Sequence, residues 1–317
     1  MIRQSVWVTI ALLVAATESA PAQVSPSDIA GAQRGVSWDQ GHSAAWHLGQ
    51  HRKLGSAIAA LRPQRPGVID AYVIVIGLDA DPVFAREAAE TAKVLARRYD
   101  AVGRIILLAA GSEAQPEGSP NHLATALAAI AAKMDKAEDA LILYATAHGA
   151  PGIGIVYKDG DKGYGMVAPA RLASLLDEVG IKRRLLMISA CYSGQFVGGL
   201  ASSDSVIVAA ADDDRTSFGC APANDWTFFG DALINNALRK ASGFETATAE
   251  AFALINEWEF DKGLTSSKPR LFVGEKAKLW LATLEKRIPP ETTPSVGRPA
   301  IQWEAAEKAA TLQPRPK

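Results

Sequence analysis

The sequence has two cysteines, Cys191 and Cys220, too few for the disulfide framework of a small stapled fold. It has no excess of either charge. A formal net charge of −1 at pH 7 gives no electrostatic basis for holding nucleic acid or an anionic membrane surface. Past its first residues it has no apolar run long enough to span a bilayer, and it has no internal repeat. What remains is an ordinary globular composition, 48% hydrophobic and 21% charged. At 317 residues there is room for one large domain or two small ones.

The chain opens like a secretory signal. Arg3 gives a positive start, residues 6–16 are apolar, and Ala20-Pro21-Ala22 offers an Ala-x-Ala cleavage site. The apolar stretch, about 11 residues, falls short of the roughly 20 that cross a bilayer. Residues 1–22 are therefore read as a signal peptide, and the mature protein as exported, periplasmic or secreted. An uncleaved anchor is the alternative.

Residues 23–65 read as an N-terminal helical segment. They hold His42, His47 and His51, the last two at the i, i+4 spacing of one helix face. A zinc site would need that pair and a third ligand. The other reading is an amphipathic helix over residues 46–61 with its histidines in solvent, and no metal site is expected.

From residue 66 the chain alternates strand and helix. Apolar runs at residues 71–76, 104–109, 140–147, 185–190, 206–210 and 270–273 read as strands. Between them, Ala88, Ala92, Leu95, Ala96 and Tyr99 mark one helical stripe. Leu123, Leu127, Ile130 and Met134 mark a second, opened by Ser119-Pro120. Leu172, Leu175, Leu176 and Val179 form a third, closed by Gly180. Further helices are expected over residues 228–239 and 246–260. Asp159-Gly160 sits within a hairpin over residues 153–166, outside the main sheet and at the rim of its crevice. The pattern predicts an α/β fold with a mostly parallel six-stranded sheet and helices on both faces. Residues 288–317 read as a proline-rich linker and a loosely attached tail.

Two of the runs end in reactive residues. One stops at His148-Gly149, the other at Cys191-Tyr192-Ser193-Gly194. Ligands of open α/β sheets bind beyond the carboxyl ends of the strands, so neighbouring strands would bring an imidazole and a thiol to one crevice. An imidazole raises the thiolate fraction of a cysteine. Attack on a carbonyl makes an oxyanion, which the backbone N–H groups of Gly149 and Cys191 could hold. The plain alternative is a buried strand-end cysteine and a loop histidine.

At these residues the chain resembles the legumain-type cysteine peptidases, family C13, of caspase-like fold, as a bacterial-type member. The motifs are Ala147-His148-Gly149, then Ser189-Ala190-Cys191-Tyr192-Ser193-Gly194. Arg215-Thr216-Ser217-Phe218-Gly219-Cys220 and Asp225-Trp226 follow after the next strand. The likeness runs over residues 66–287. It implies a peptidase with His148 as general base and acid and Cys191 as nucleophile. Gly149 and Cys191 would be the oxyanion donors, and Thr216, Ser217, Asp225 and Tyr192 would line the substrate pocket. For Thr216 and Ser217 a capped turn is the alternative. The family's plant and animal members cleave after Asn, and after Asp at lower pH, and some relatives are transamidases.

The chain also departs from that pattern. Tyr192 stands where legumain has an acid. The family's Asn and Arg after the first strand fall, by counting, on Val83 and Ala85, with Arg86 beside them. The preference expected at the residue before the cut is Asn or another polar or basic side chain. No cofactor is expected. The expected partner is a peptide or protein substrate, with no nucleic acid and no membrane, and the oligomeric state is open. A silent relative that binds peptides in the crevice, or a transamidase, are the competing functions. Cys220 is expected to be buried and reduced, because a bond to Cys191 would destroy the nucleophile.

Overall fold

The computed structural model describes residues 37–111 and 114–302. The signal-like stretch at residues 1–22 and the end of the chain past 302 lie outside the described residues. The strands are β1 (Ser37–Asp39), β2 (Ala71–Gly77), β3 (Ile105–Leu108), β4 (Ala140–Thr146) and β5 (Gly149–Ala150). β6 (Gly154–Asp159), β7 (Gly163–Val167), β8 (Arg184–Ser189), β9 (Ser205–Ala209) and β10 (Arg270–Val273) follow. The helices are α1 (Ala44–Ala59), α2 (Pro82–Arg98), α3 (Pro120–Lys133), α4 (Pro169–Val179), α5 (Gln195–Leu200), α6 (Phe244–Asp261) and α7 (Glu275–Glu285).

Six strands form the main sheet in the order β10-β9-β8-β4-β2-β3, all parallel except the edge strand β10. Every residue of β2, β4, β8 and β9 is buried, as in a sheet covered on both faces. The two-residue period divides each strand between two cores. Val73, Val75, Tyr144, Leu185, Met187 and Val208 face α2, α6 and α7. Tyr72, Ile74, Ile76, Leu143, Leu186 and Ile188 face α1, α3, α4 and α5. The expected fold class therefore stands.

The chain starts this sheet one strand in from the edge, at β2, builds outward to β3, then returns to β4 on the other side. That reversal is a topological switch point, where a crevice opens beyond the strand ends. The loops leaving β2 and β4 form its walls.

A second, four-stranded antiparallel sheet, β1-β7-β6-β5, holds the expected hairpin. The segment over residues 228–239 is helical as expected, but as a π-helix (Gly230–Asn236) that tightens to a 3-10 turn (Ala237–Arg239). Residues 291–302 also differ from the loose linker expected. The Val296 carbonyl accepts from Trp226 Nε1 at 2.8 Å, and Ala300 N donates to Asp231 Oδ2 at 2.6 Å. Buried polar partners hold this stretch to the body.

One buried polar network lies behind the crevice. Glu87, wholly buried on α2, accepts from Tyr144 Oη of β4 at 2.6 Å and from Thr227 N at 2.8 Å. Thr227 Oγ1 in turn meets Ser189 Oγ at 3.1 Å, two residues before Cys191. Replacing Glu87 by alanine leaves two buried donors without a partner, each costing about 1–3 kcal/mol. A loss of roughly 3 kcal/mol is expected, read as a lower urea midpoint at unchanged m-value.

Candidate active site

β4 and β8 are hydrogen-bonded neighbours, with Thr146 opposite Ser189 in the last pair. His148 and Cys191 each come two residues later. They therefore leave the same, carboxyl end of adjacent strands, at the crevice.

The backbone after the histidine is pressed against the cysteine. A Cβ on Gly149 would lie 1.9 Å from the Cys191 carbonyl oxygen and 3.2 Å from its nitrogen. Only glycine fits there. The chain then turns sharply: Tyr192 has φ +57°, a left-handed conformation that a bulky residue adopts only when its surroundings impose it. Its N–H donates to the Arg215 carbonyl at 2.7 Å. Gln195 Nε2 bridges the two loops, donating to Ala150 O at 3.1 Å and Tyr192 O at 2.9 Å.

Cys191 is half-buried, and its thiol pKa is brought down to about 6. The largest cause is a hydrogen bond from the Cys220 side chain. Burial works against it, and the Ser217 N–H, at 3.3 Å from Sγ, and the charge of His148 add to it. Cys220 is thus half-buried, not fully buried as expected, and lies beside Cys191. Above pH 6 the thiolate predominates. Replacing Cys220 by alanine removes the leading stabiliser of the anion, so the Cys191 pKa is expected to rise. The pH midpoint of Cys191 alkylation by iodoacetamide checks this, with about 6 expected for the parent and a higher value for Cys220→Ala.

His148 is placed by neighbours that the sequence did not single out. Its ring stands edge-on to Phe84, centroids 5.1 Å apart. Its Nε2 lies 3.5 Å from Asp81 Oδ2, an ion pair whenever the imidazole is protonated. Asp79 is buried, accepts from Asp81 N at 2.9 Å, and leaves Oδ2 with no hydrogen-bond partner. Burial pushes the Asp79 carboxyl above the usual carboxylate range, while His148 opposes that rise. Both acids follow β2 directly, on the far wall of the switch point. That position was the one sequence signal for them.

The pocket residues are divided. Ser217 touches the Cys191 sulfur, while Thr216 is exposed. Asp225 lies 3.5 Å from Arg86 Nε, and its Oδ2 accepts from Arg298 N at 2.8 Å. Val83, one of the positions reached by counting, is wholly buried in the core. Two arginines lie beside Asp225: Arg86, and Arg298 with its Nε 3.9 Å from Oδ2.

A thiol of low pKa, an imidazole at the next strand end and a side-chain-free backbone between them define the class: an α/β protein with a cysteine-hydrolase type of site. Residues 122–266 match the Peptidase C13 family, a stretch that includes His148, Cys191, Ser217 and Asp225. The legumain-like resemblance is borne out, and with it a cysteine-peptidase type of function. Among solved structures, caspase-1 from Spodoptera frugiperda is similar at 13% identity and a TM-score of 0.45, over 67% of this chain and 92% of that one. No curated protein matches the sequence significantly.

Proposed function

We propose that the chain is an exported cysteine endopeptidase that cleaves peptide bonds through a His148–Cys191 dyad. The observation that carries this is that His148 and Cys191 leave the same end of adjacent strands with the Gly149 backbone pressed against Cys191, and the neighbours of the thiol lower its pKa. The Cys191 thiolate attacks the scissile carbonyl. The N–H groups of Gly149 and Cys191 hold the oxyanion, and His148 protonates the leaving amine. Water, deprotonated by His148, then hydrolyses the thioester. Asp81 stabilises the imidazolium that holds the Cys191 proton before attack and that forms again when water is deprotonated, and Gln195 keeps the two loops in register. Among the described residues no helix is long and apolar enough to cross a membrane.

The Asp225–Arg86 pair supports a substrate side chain that both donates and accepts. A carboxylate takes the NH₂ of an Asn, and a guanidinium gives to its carbonyl. Asn therefore ranks above Asp, which Asp225 repels until one carboxylate is protonated. A peptide-library digest scored by mass spectrometry tests the assignment. Cleavage after Asn is expected in the parent chain and a flattened preference in Asp225→Ala. An unchanged preference in that variant removes Asp225 from the pocket.

A non-catalytic binder is the second reading, favoured by Arg298, which already donates its N–H to Asp225. A thiol-reactive peptide probe separates the two. Labelling that disappears in Cys191→Ala supports the enzyme, and equal labelling of both proteins supports the binder.

A further inference from the structure

The chain has five histidines, and the fold draws four of them away from the crevice to one region. His47, His51 and His122 line a cavity of about 270 Å³ together with Asp39, Glu117 and Tyr157. The fourth, His42, stands beside it. Its Nε2 contacts Asp159 Oδ2 at the tip of the β6–β7 hairpin. One ligand atom from each of His42, Glu117 and Asp159 falls within 4.8 Å of the others.

These three donors come from places far apart in the chain, and each is held by its own neighbours. The His42 side chain is 5% exposed, and its ring stacks on Trp46 with centroids 3.5 Å apart and planes 9° apart. The segment before it is stitched to the hairpin by β1–β7 pairing and by Gln40 N donating to Lys162 O at 2.6 Å. Glu117 N donates to Gln50 Oε1 at 2.9 Å, and its carbonyl meets His122 Nδ1 at 2.6 Å. This is the ordered surround that a ligand set needs. Two carboxylates face each other here, half-buried, an arrangement that either a cation between them or a proton on one of them relieves.

We propose that His42, Glu117 and Asp159 form a binding site for one divalent zinc ion, with the fourth position open toward the cavity. One imidazole nitrogen and two carboxylate oxygens suit that ion. Bonds near 2.1 Å put tetrahedral donors roughly 3.4 Å apart. The observed spread closes to that by side-chain rotation, with the His42–Asp159 contact opening to admit the ion. Zinc here pins the segment before α1 and the loop before α3 to the hairpin that follows His148. Binding couples to folding, because the chain brings these residues together only when folded. The residue that matters is His42, not the His47–His51 pair that the helical spacing suggests.

The competing arrangement is a proton held among His42, Glu117 and Asp159, with Lys53 nearby, and the test separates it from zinc. The full chain is used with Cys191→Ala throughout, so that the thiolate binds no metal, and it is first stripped with a chelator. Zinc chloride is titrated by calorimetry, with bound metal counted by elemental mass spectrometry and folding checked by circular dichroism. The expected result is one zinc per chain and a rise in melting temperature of several degrees. Affinity should fall at least tenfold in His42→Ala and in the near-isosteric Glu117→Gln, and stay unchanged in the double variant His47→Ala/His51→Ala. Absence of stoichiometric binding overturns the proposal and leaves a proton in the place of the metal. Binding that survives His42→Ala but is lost in the double variant overturns it in favour of the cavity histidines.

Discussion

Replacing Cys191 by alanine is expected to lower kcat/KM for peptide cleavage by about 10⁴-fold or more, with the fold intact. The side chain is half-buried at a strand end, and alanine removes a partner only from the half-buried Ser217 and Cys220, so stability should change little. What disappears is the group that forms the acyl-enzyme. His148→Ala should cost nearly as much, because it removes the proton carrier of the same step. The double variant should be hardly worse than either single one, since members of a catalytic unit are far from additive. A drop of only a few-fold in Cys191→Ala, measured as kcat/KM on the best library peptide, would contradict the dyad.

Gly149→Ala is expected to reduce kcat by at least about 100-fold while leaving KM within a few-fold. A methyl group there meets the Cys191 carbonyl oxygen at 1.9 Å, an overlap that moves one backbone or the other. Either movement displaces an oxyanion donor, and each such donor is worth on the order of 10²–10³ in rate. Binding contacts elsewhere in the crevice are untouched, so the effect should divide between kcat and KM in this way. The variant should also melt at lower temperature, as expected of overpacking. An alanine enzyme with normal kcat would mean that this backbone is not where charge develops.

Much of the fold was legible because it rests on strands buried along their whole length. β2, β4, β8 and β9 are buried throughout, with polar residues only at their ends, and their apolar runs stand out against charged or glycine-bearing flanks. Proline and glycine marked helix ends for local reasons: Ser119 caps α3 through its hydroxyl, and Gly180 closes α4 in the left-handed conformation. β1 was not legible. It has three exposed residues and exists only by pairing with β7, more than 120 positions on. The π-helix after Phe229 shares its apolar pattern with an α-helix, and tertiary packing makes the choice.

The placement of His148 and Cys191 at the same end of adjacent strands was legible because two strand-end motifs carry it. Their surroundings were not, since Cys220, Gln195, Asp79 and Asp81 act through contacts that no spacing encodes. Arg86 shows the limit of counting along a motif. Burial of Val83 on the core side of α2 sets which residues face outward, and Arg86, not Ala85, reaches Asp225.

The most direct measurement is the intact mass of the protein, acid-quenched within one turnover of mixing with the preferred peptide. The expected spectrum has a second species, heavier by the acyl half of the peptide and mapped to Cys191. That species should be absent from Cys191→Ala and should decay as free product appears. Peptide cleavage by the wild type with no adduct at Cys191, and equal cleavage by the alanine variant, would contradict covalent catalysis by this thiol.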